Sequence, residues 1–182
     1  ARDVPTEIYR DLLKNEKIAD PFNDLNERAV QWVGDETWTY RTIFAAPSEY
    51  GTANTVTRLR FQGLHTFASV YLNGHKVLES DNMFVEHEVD VSGKLELDEN
   101  VLEIVFESAR KKGRELVEQH KEHRFIVHQT ETSRGPVRKA QFHWGWDWGP
   151  VLMACGPWKP VSVETWSCQL SSPGVQYELS QN

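Results

Sequence analysis

Phe67-Ala-Ser-Val-Tyr-Leu72, then Asn73-Gly74, then His75-Lys-Val-Leu78 is the stretch that decides the fold. Two strand-like runs flank Asn-Gly, the pair preferred in a two-residue type I′ hairpin because both positions need φ > 0. A two-residue period continues on either side of it. Trp38, Tyr40, Thr42 and Phe44 share one face of a predicted strand, and Thr57, Leu59 and Phe61 one face of another over 56–61. Residues 84–91 alternate, with Val85, Val89 and Val91 inward and Glu86, Glu88 and Asp90 outward. Leu102, Ile104 and Phe106 repeat the pattern over 101–106, and 161–166 reads as a further strand. Residues 137–152 read as strand-like, tryptophan-rich sequence. Many short strands with helices only at the periphery predict an all-β fold, an antiparallel jelly-roll β-sandwich with short peripheral helices.

The helical signals are few. Ile8, Tyr9, Leu12 and Leu13 fall on one face of a predicted helix over 6–15, and Asp20-Pro21 stops regular structure. Residues 21–37 read as an ordered connection. Residues 110–124 carry many charges and two aliphatic side chains, Leu116 and Val117, so they read as an exposed helix or long loop. Ser171-Ser-Pro-Gly174 has the composition of a linker, and 175–179 of the first strand of another domain. The expected organisation is one domain over 1–170, with 171–182 as linker and the possible start of an immunoglobulin-like domain.

Composition narrows the function classes. The chain has 182 residues, too few for a (β/α)₈ barrel, which takes roughly 250. A formal net charge of −7 argues against nucleic acid, because neutralising phosphates needs excess Lys and Arg. No apolar run of about 18 residues is available to cross a membrane. The two cysteines, Cys155 and Cys168, are too few for a disulfide scaffold; they could pair, but nothing requires it. There is no Asn-x-Ser/Thr sequon and no charged-then-apolar leader, which favours the cytoplasm, although the chain reads as starting inside a domain.

The chemistry-bearing segment is Phe142-His-Trp-Gly-Trp-Asp-Trp-Gly-Pro150. No nucleophile elbow, His-Glu-x-x-His or phosphate loop is present. His120, His123 and His128 are close in sequence, but their spacing suits no single regular element, so no metal and no cofactor is expected. Asp147, between Trp146 and Trp148 and flanked by Gly145 and Gly149, is different. One reading is structural, with the carboxylate capping backbone N–H groups inside an indole cluster. The other is a carbohydrate contact: a ring lies against the apolar face of a sugar while a carboxylate accepts from its hydroxyls, and charge-assisted bonds are the stronger kind. Asn82, in Ser80-Asp-Asn-Met-Phe84, is a second candidate, or an ordinary turn residue. Arg138 and Lys139 could anchor a carboxylate such as Asp147, or be exposed.

Several segments together resemble the β-mannosidases of glycoside hydrolase family two. These are Val4-Pro-Thr-Glu-Ile8 through Phe22, Trp32-Val-Gly34 through Phe44, Gly63 through Gly74, Asp81-Asn-Met-Phe84, Val137-Arg-Lys-Ala-Gln141 and Gly156-Pro-Trp158. Trp144-Gly-Trp-Asp-Trp-Gly-Pro150 is the most specific. The resemblance implies an N-terminal, galactose-binding-domain-like jelly roll, with its first strand expected before Val4. An immunoglobulin-like sandwich and a (β/α)₈ barrel carrying two catalytic Glu would follow it. It implies a retaining exo-enzyme removing terminal β-D-mannose from an oligosaccharide. Trp146 and Asp147 would hold the terminal sugar at O4 and O6 in the −1 subsite, Asn82 would lie near, and Trp144 and Trp148 would pack. Retention needs two carboxyl groups about 5–5.5 Å apart, and the chain offers no partner for Asp147, so no catalytic residue is expected in it and the chain alone is expected to be inactive. The alternatives are a free-standing carbohydrate-binding module, or a structural domain without a ligand.

Overall fold

A computed structural model describes residues 4–128 and 130–168. Seven strands occur among these residues: β1 (Trp38–Phe44), β2 (Val56–Phe61), β3 (Ala68–Leu72), β4 (His75–Ser80), β5 (His87–Asp90), β6 (Asn100–Phe106) and β7 (Val161–Trp166). They form two sheets, ordered β1-β6-β3-β4 and β5-β2-β7, and every strand pairing is antiparallel. The antiparallel β-sandwich expected from the period-two pattern is therefore the observed fold.

The hairpin that decided the reading joins β3 to β4, with Asn73 at φ 50° and Gly74 at φ 81°, both in the left-handed region the turn requires. The Asn73 side chain reaches further: its Oδ1 accepts from the Val101 N–H at 2.8 Å, which ties the turn to β6. The inward faces of β2, β3 and β6 meet as one core, in which Phe61, Phe106, Val70 and Leu59 are fully buried. Each such side chain stabilises the fold by roughly 1.5–3 kcal/mol. The outward Glu86 and Glu88 pair with Arg60 and Arg58 across β2 and β5, which is why acidic residues alternate there.

Four local expectations change. The helix predicted over 6–15 is α1 (Ile8–Lys14), capped by the Glu7 carboxylate, which accepts from the N–H groups of Tyr9 and Arg10. The connection at 21–37 contains a short helix, α2 (Asn26–Ala29), and a 3₁₀ turn over Gln31–Asp35. The strand predicted from 84 begins only at His87, and Val85 is exposed because the backbone there closes a turn on Asn82. The charged segment is a helix, α3 (Ala109–Gln119), but not a free one. It docks through Ala109, Gly113 and Leu116 on Val137, Trp144 and Met153. A β-carbon at Gly113 would stand 2.3 Å from the Ser133 carbonyl oxygen, so glycine is what lets the helix lie so close.

Ser108 starts α3 and fixes its position. Its hydroxyl donates to the Gly34 carbonyl at 2.6 Å and accepts from the Lys111 N–H at 3.2 Å, in a buried setting. Ser108→Ala removes both bonds and should cost about 1–2 kcal/mol, a melting temperature roughly 3–8 °C lower by calorimetry; an unchanged midpoint would show that the cap carries no stability.

Between the free edges of β1 and β7 the sandwich is open. A groove of about 670 Å³ is lined there by Val4, Ile8, Tyr40, Ile104 and Val163 among others. Cys155 is buried, Cys168 is exposed, and both are free thiols. The expected linker and second-domain strand at 171–182 lie outside the described residues.

Candidate functional site

Residues 137–152 do not form the expected strand. Gln141–Trp144 is a 3₁₀ turn, and Trp146 and Gly149 pair with each other, the Trp146 N–H donating to the Gly149 carbonyl at 3.0 Å and the Gly149 N–H to the Trp146 carbonyl at 3.3 Å. Asp147 and Trp148 are thus the two residues at the tip of a tight turn. Gly145 leads into it at φ 72° and ψ −177°, a conformation only glycine adopts without strain. Pro150 follows and cannot extend a ladder. Aromatic content had suggested a strand; the backbone at Gly145 and the proline at 150 prevent one.

Three tryptophans in five residues meet three environments. Trp144 is 3 % exposed and donates to the Ser133 hydroxyl at 3.4 Å. Trp146 is 38 % exposed, with the Arg134 guanidinium 5.7 Å from its ring centroid. Trp148 is 81 % exposed, so it packs in no core among the described residues. Asp147 is exposed, and among the described residues its carboxylate accepts no hydrogen bond and joins no ion pair. The alternative in which it caps main-chain amides is not what the structure contains.

Asn82 is half-buried, and its Oδ1 accepts from the Phe84 N–H at 3.0 Å, which closes its own turn. It bridges to Arg138, and the next residue, the buried Met83, donates its N–H to the Arg138 carbonyl at 3.1 Å. The structure therefore ties Asn82 to the start of the segment that carries the turn, while no hydrogen bond joins it to Trp146 or Asp147. Arg138 is exposed. Lys139 is neither exposed nor a partner of Asp147: it is 2 % exposed, and its ammonium contacts His65 Nε2 and donates to the Ala154 carbonyl at 2.5 Å.

Several residues that support the turn carried no sequence signal. Val151, on the returning leg, is held through its N–H by Glu27 at 3.0 Å and through its carbonyl by Gln31 at 2.7 Å. His143, on the departing leg, bonds through Nδ1 to the Leu152 carbonyl at 3.0 Å, and its ring lies 4.4 Å from that of His65. Burial pushes Lys139 down to about 7, His143 down to about 3 and His65 well below the ordinary histidine value. The Lys139 charge adds to the effect on both histidines. Burial also raises the Cys155 thiol to about 12, which makes it a poor nucleophile. His120 and His123 are exposed, near the end of α3, the first bonded to Glu122 at 3.2 Å and the second against the Phe125 ring. Among the described residues no three His, Cys, Asp or Glu are grouped to hold a metal.

Two antiparallel sheets over a single core, with an aromatic and acidic turn on a long loop, define a galactose-binding-like β-sandwich. The chain belongs to the glycosyl hydrolase 2 galactose-binding domain-like family, whose model matches residues 1–159. It is 51 % identical over 167 residues to Beta-mannosidase B of Thermothelomyces thermophilus and 44 % identical over 180 residues to Beta-mannosidase B of Emericella nidulans. These alignments take in 92 % and 98 % of this chain but 19 % and 21 % of the relatives, so the chain spans about a fifth of their length. The crystal structure of a β-D-mannosidase from Dictyoglomus thermophilum superposes with a TM-score of 0.82 at 38 % identity, over 90 % of this chain and 20 % of that one.

Proposed function

We propose that this chain is the N-terminal, sugar-binding-type domain, over 1–170, of a retaining exo-β-mannosidase. In that reading it supplies contacts to the −1 subsite while a barrel elsewhere in the polypeptide cuts the bond. The names of the relatives support the substrate class, and their fivefold greater length supports a larger parent enzyme.

The observation that carries the reading is the tip of the 146–149 turn. Trp146 offers a half-open ring, and Asp147 an unengaged carboxylate, side by side on a backbone fixed by reciprocal hydrogen bonds. The ring takes the apolar face of a pyranose, and the carboxylate accepts from two hydroxyls, O4 and O6 of a terminal mannose. Asn82 Oδ1 already accepts one bond within its own turn, so it would contribute its amide N–H groups and the remaining lone pair.

In the full-length protein, Asp147→Ala is expected to lower kcat/KM on 4-nitrophenyl β-mannoside roughly 10- to 150-fold, the loss of about 1.5–3 kcal/mol from a charged hydrogen-bond partner. The melting temperature should stay within about 1 °C, because the carboxylate holds nothing in the fold. Normal kinetics with a lowered midpoint would reverse the assignment. On this reading the 182-residue chain alone should not turn the substrate over, because the two carboxyl groups that retention requires belong to the barrel elsewhere in the polypeptide.

A further inference from the structure

The loop that presents Trp146 and Asp147 departs from the sandwich at Lys139 and returns to it at Ala154. Three rungs cross between its legs. At the tip Trp146 pairs with Gly149, midway His143 bonds Leu152, and at the base the Lys139 ammonium bonds the Ala154 carbonyl. The base rung is also fastened to the body of the domain by a hydrogen bond, because the same ammonium contacts Nε2 of His65, against whose ring the His143 of the middle rung packs. His65 is 3 % exposed and is pinned by paired backbone hydrogen bonds with Gly156, at 3.1 and 3.2 Å.

Lysine is almost never fully buried, since stripping water from an ammonium is costly. An apolar side chain of equal length would fill the same space without that cost. What the ammonium adds is direction: it bonds one acceptor on the returning leg and one on the fixed sandwich, so the two ends of the loop and the sheet are held at one point. The Glu7 carboxylate lies near enough to favour its charge, while the Cys155 thiol, held protonated by burial, and the His65 and His143 rings face it neutral.

We infer that Lys139 is a positioning residue for the sugar contact: its buried ammonium, shared between His65 and Ala154, clasps the base of the loop and sets where Trp146 and Asp147 stand. This rests on the reading of Asp147 given above. A misplacement on the order of 1 Å at a contact made by one carboxylate is enough to cost up to about 10²-fold in rate.

The test is a double-mutant cycle in the full-length protein, reading kcat/KM on 4-nitrophenyl β-mannoside together with the melting temperature. Lys139→Met keeps the volume and removes the donors. It is expected to lower kcat/KM about tenfold or more when Asp147 is present, and less than about twofold on top of Asp147→Ala, because a clasp that acts through Asp147 has nothing left to position. Any change in melting temperature should be the same in both backgrounds. Equal losses of kcat/KM in the two backgrounds would mean a merely structural lysine and would overturn the inference. So would a loss from Asp147→Ala with none from Lys139→Met. If Asp147→Ala itself leaves kcat/KM unchanged, the sugar contact falls and the role of Lys139 with it. Should Lys139→Met not fold, His65→Gln, which keeps an amide beside the ammonium but shifts it, is put through the same cycle with the same deciding outcomes.

Discussion

Gly145→Ala should lower the melting temperature by roughly 5–15 °C, whereas Gly149→Ala, four residues on, should leave it almost unchanged. The two glycines flank the same turn and look alike in the sequence, but the backbone separates them. Gly145 sits at φ 72° and ψ −177°, where a side chain costs about 1–3 kcal/mol before any contact is counted. A β-carbon there would also stand 2.7 Å from Val151 Cγ2 and 3.0 Å from the Gly149 carbonyl oxygen. That oxygen accepts the Trp146 N–H, so the intruding carbon presses on one of the two bonds that close the turn. Overpacking of this kind adds about 1–3 kcal/mol. At Gly149 a β-carbon would meet nothing within 4 Å. Amide exchange supplies the local readout: the Trp146 N–H should exchange faster in Gly145→Ala and at the unaltered rate in Gly149→Ala. On the proposed function, kcat/KM of the full-length protein follows the same order. Equal tolerance of alanine at the two positions would show that the turn is not held by its backbone.

The contrast between those glycines marks how far the sequence could be read. Strand β2 was legible to the residue and β6 to within one, because each buries one full face and the sequence alternates with it. The β3–β4 turn was legible because Asn-Gly answers a dihedral requirement that few other pairs meet. The Trp146–Gly149 turn was not, because indole side chains favour strands in general and the glycine that forbids one, Gly145, carries no mark of its backbone angles. The docking of α3 was hidden for a related reason: its charged composition reports the outer face, and the contact face is built on a glycine whose importance is an absent side chain. Trp146 and Asp147 stood out as candidates by adjacency alone. Lys139 reads only as an anchor for Asp147 or an exposed residue, and His65 and His143 do not stand out at all, because Lys139 and His65 are 74 residues apart and lysine is ordinarily a surface residue. Contacts over that separation with no shared periodicity leave no trace in a single sequence.

The same buried bases give the chain a stability that depends on pH in a definite direction. Between pH 6.5 and 5 the melting temperature should fall by on the order of 10 °C. Burial, with Lys139 close by, holds His143 down to about 3 and His65 well below its ordinary value. Over this interval the unfolded chain takes up protons at both rings and the folded chain does not, so the unfolded state gains about 2 kcal/mol for each histidine. Glu7 works the other way, because burial raises it and the folded state binds its proton early, which offsets a part of the loss. Above neutrality the sign is unchanged at first. Lys139 sits near 7 when folded and in the usual lysine range when unfolded, so stability continues to rise with pH while the unfolded chain keeps a lysine proton that the folded chain has released. It turns down in the alkaline range, where the unfolded chain ionises Cys155, Tyr9 and Tyr40 while burial keeps them protonated in the fold. His143→Asn isolates one contribution, since the asparagine amide can still donate to the Leu152 carbonyl that Nδ1 now bonds but has no proton to gain. The variant should show about half the loss between pH 6.5 and 5. A wild-type midpoint that is flat over that interval, or a variant that falls as steeply as the parent, would mean that these rings take up protons as freely in the folded chain as in the unfolded one, and the buried basic cluster would then not be what limits the fold in acid.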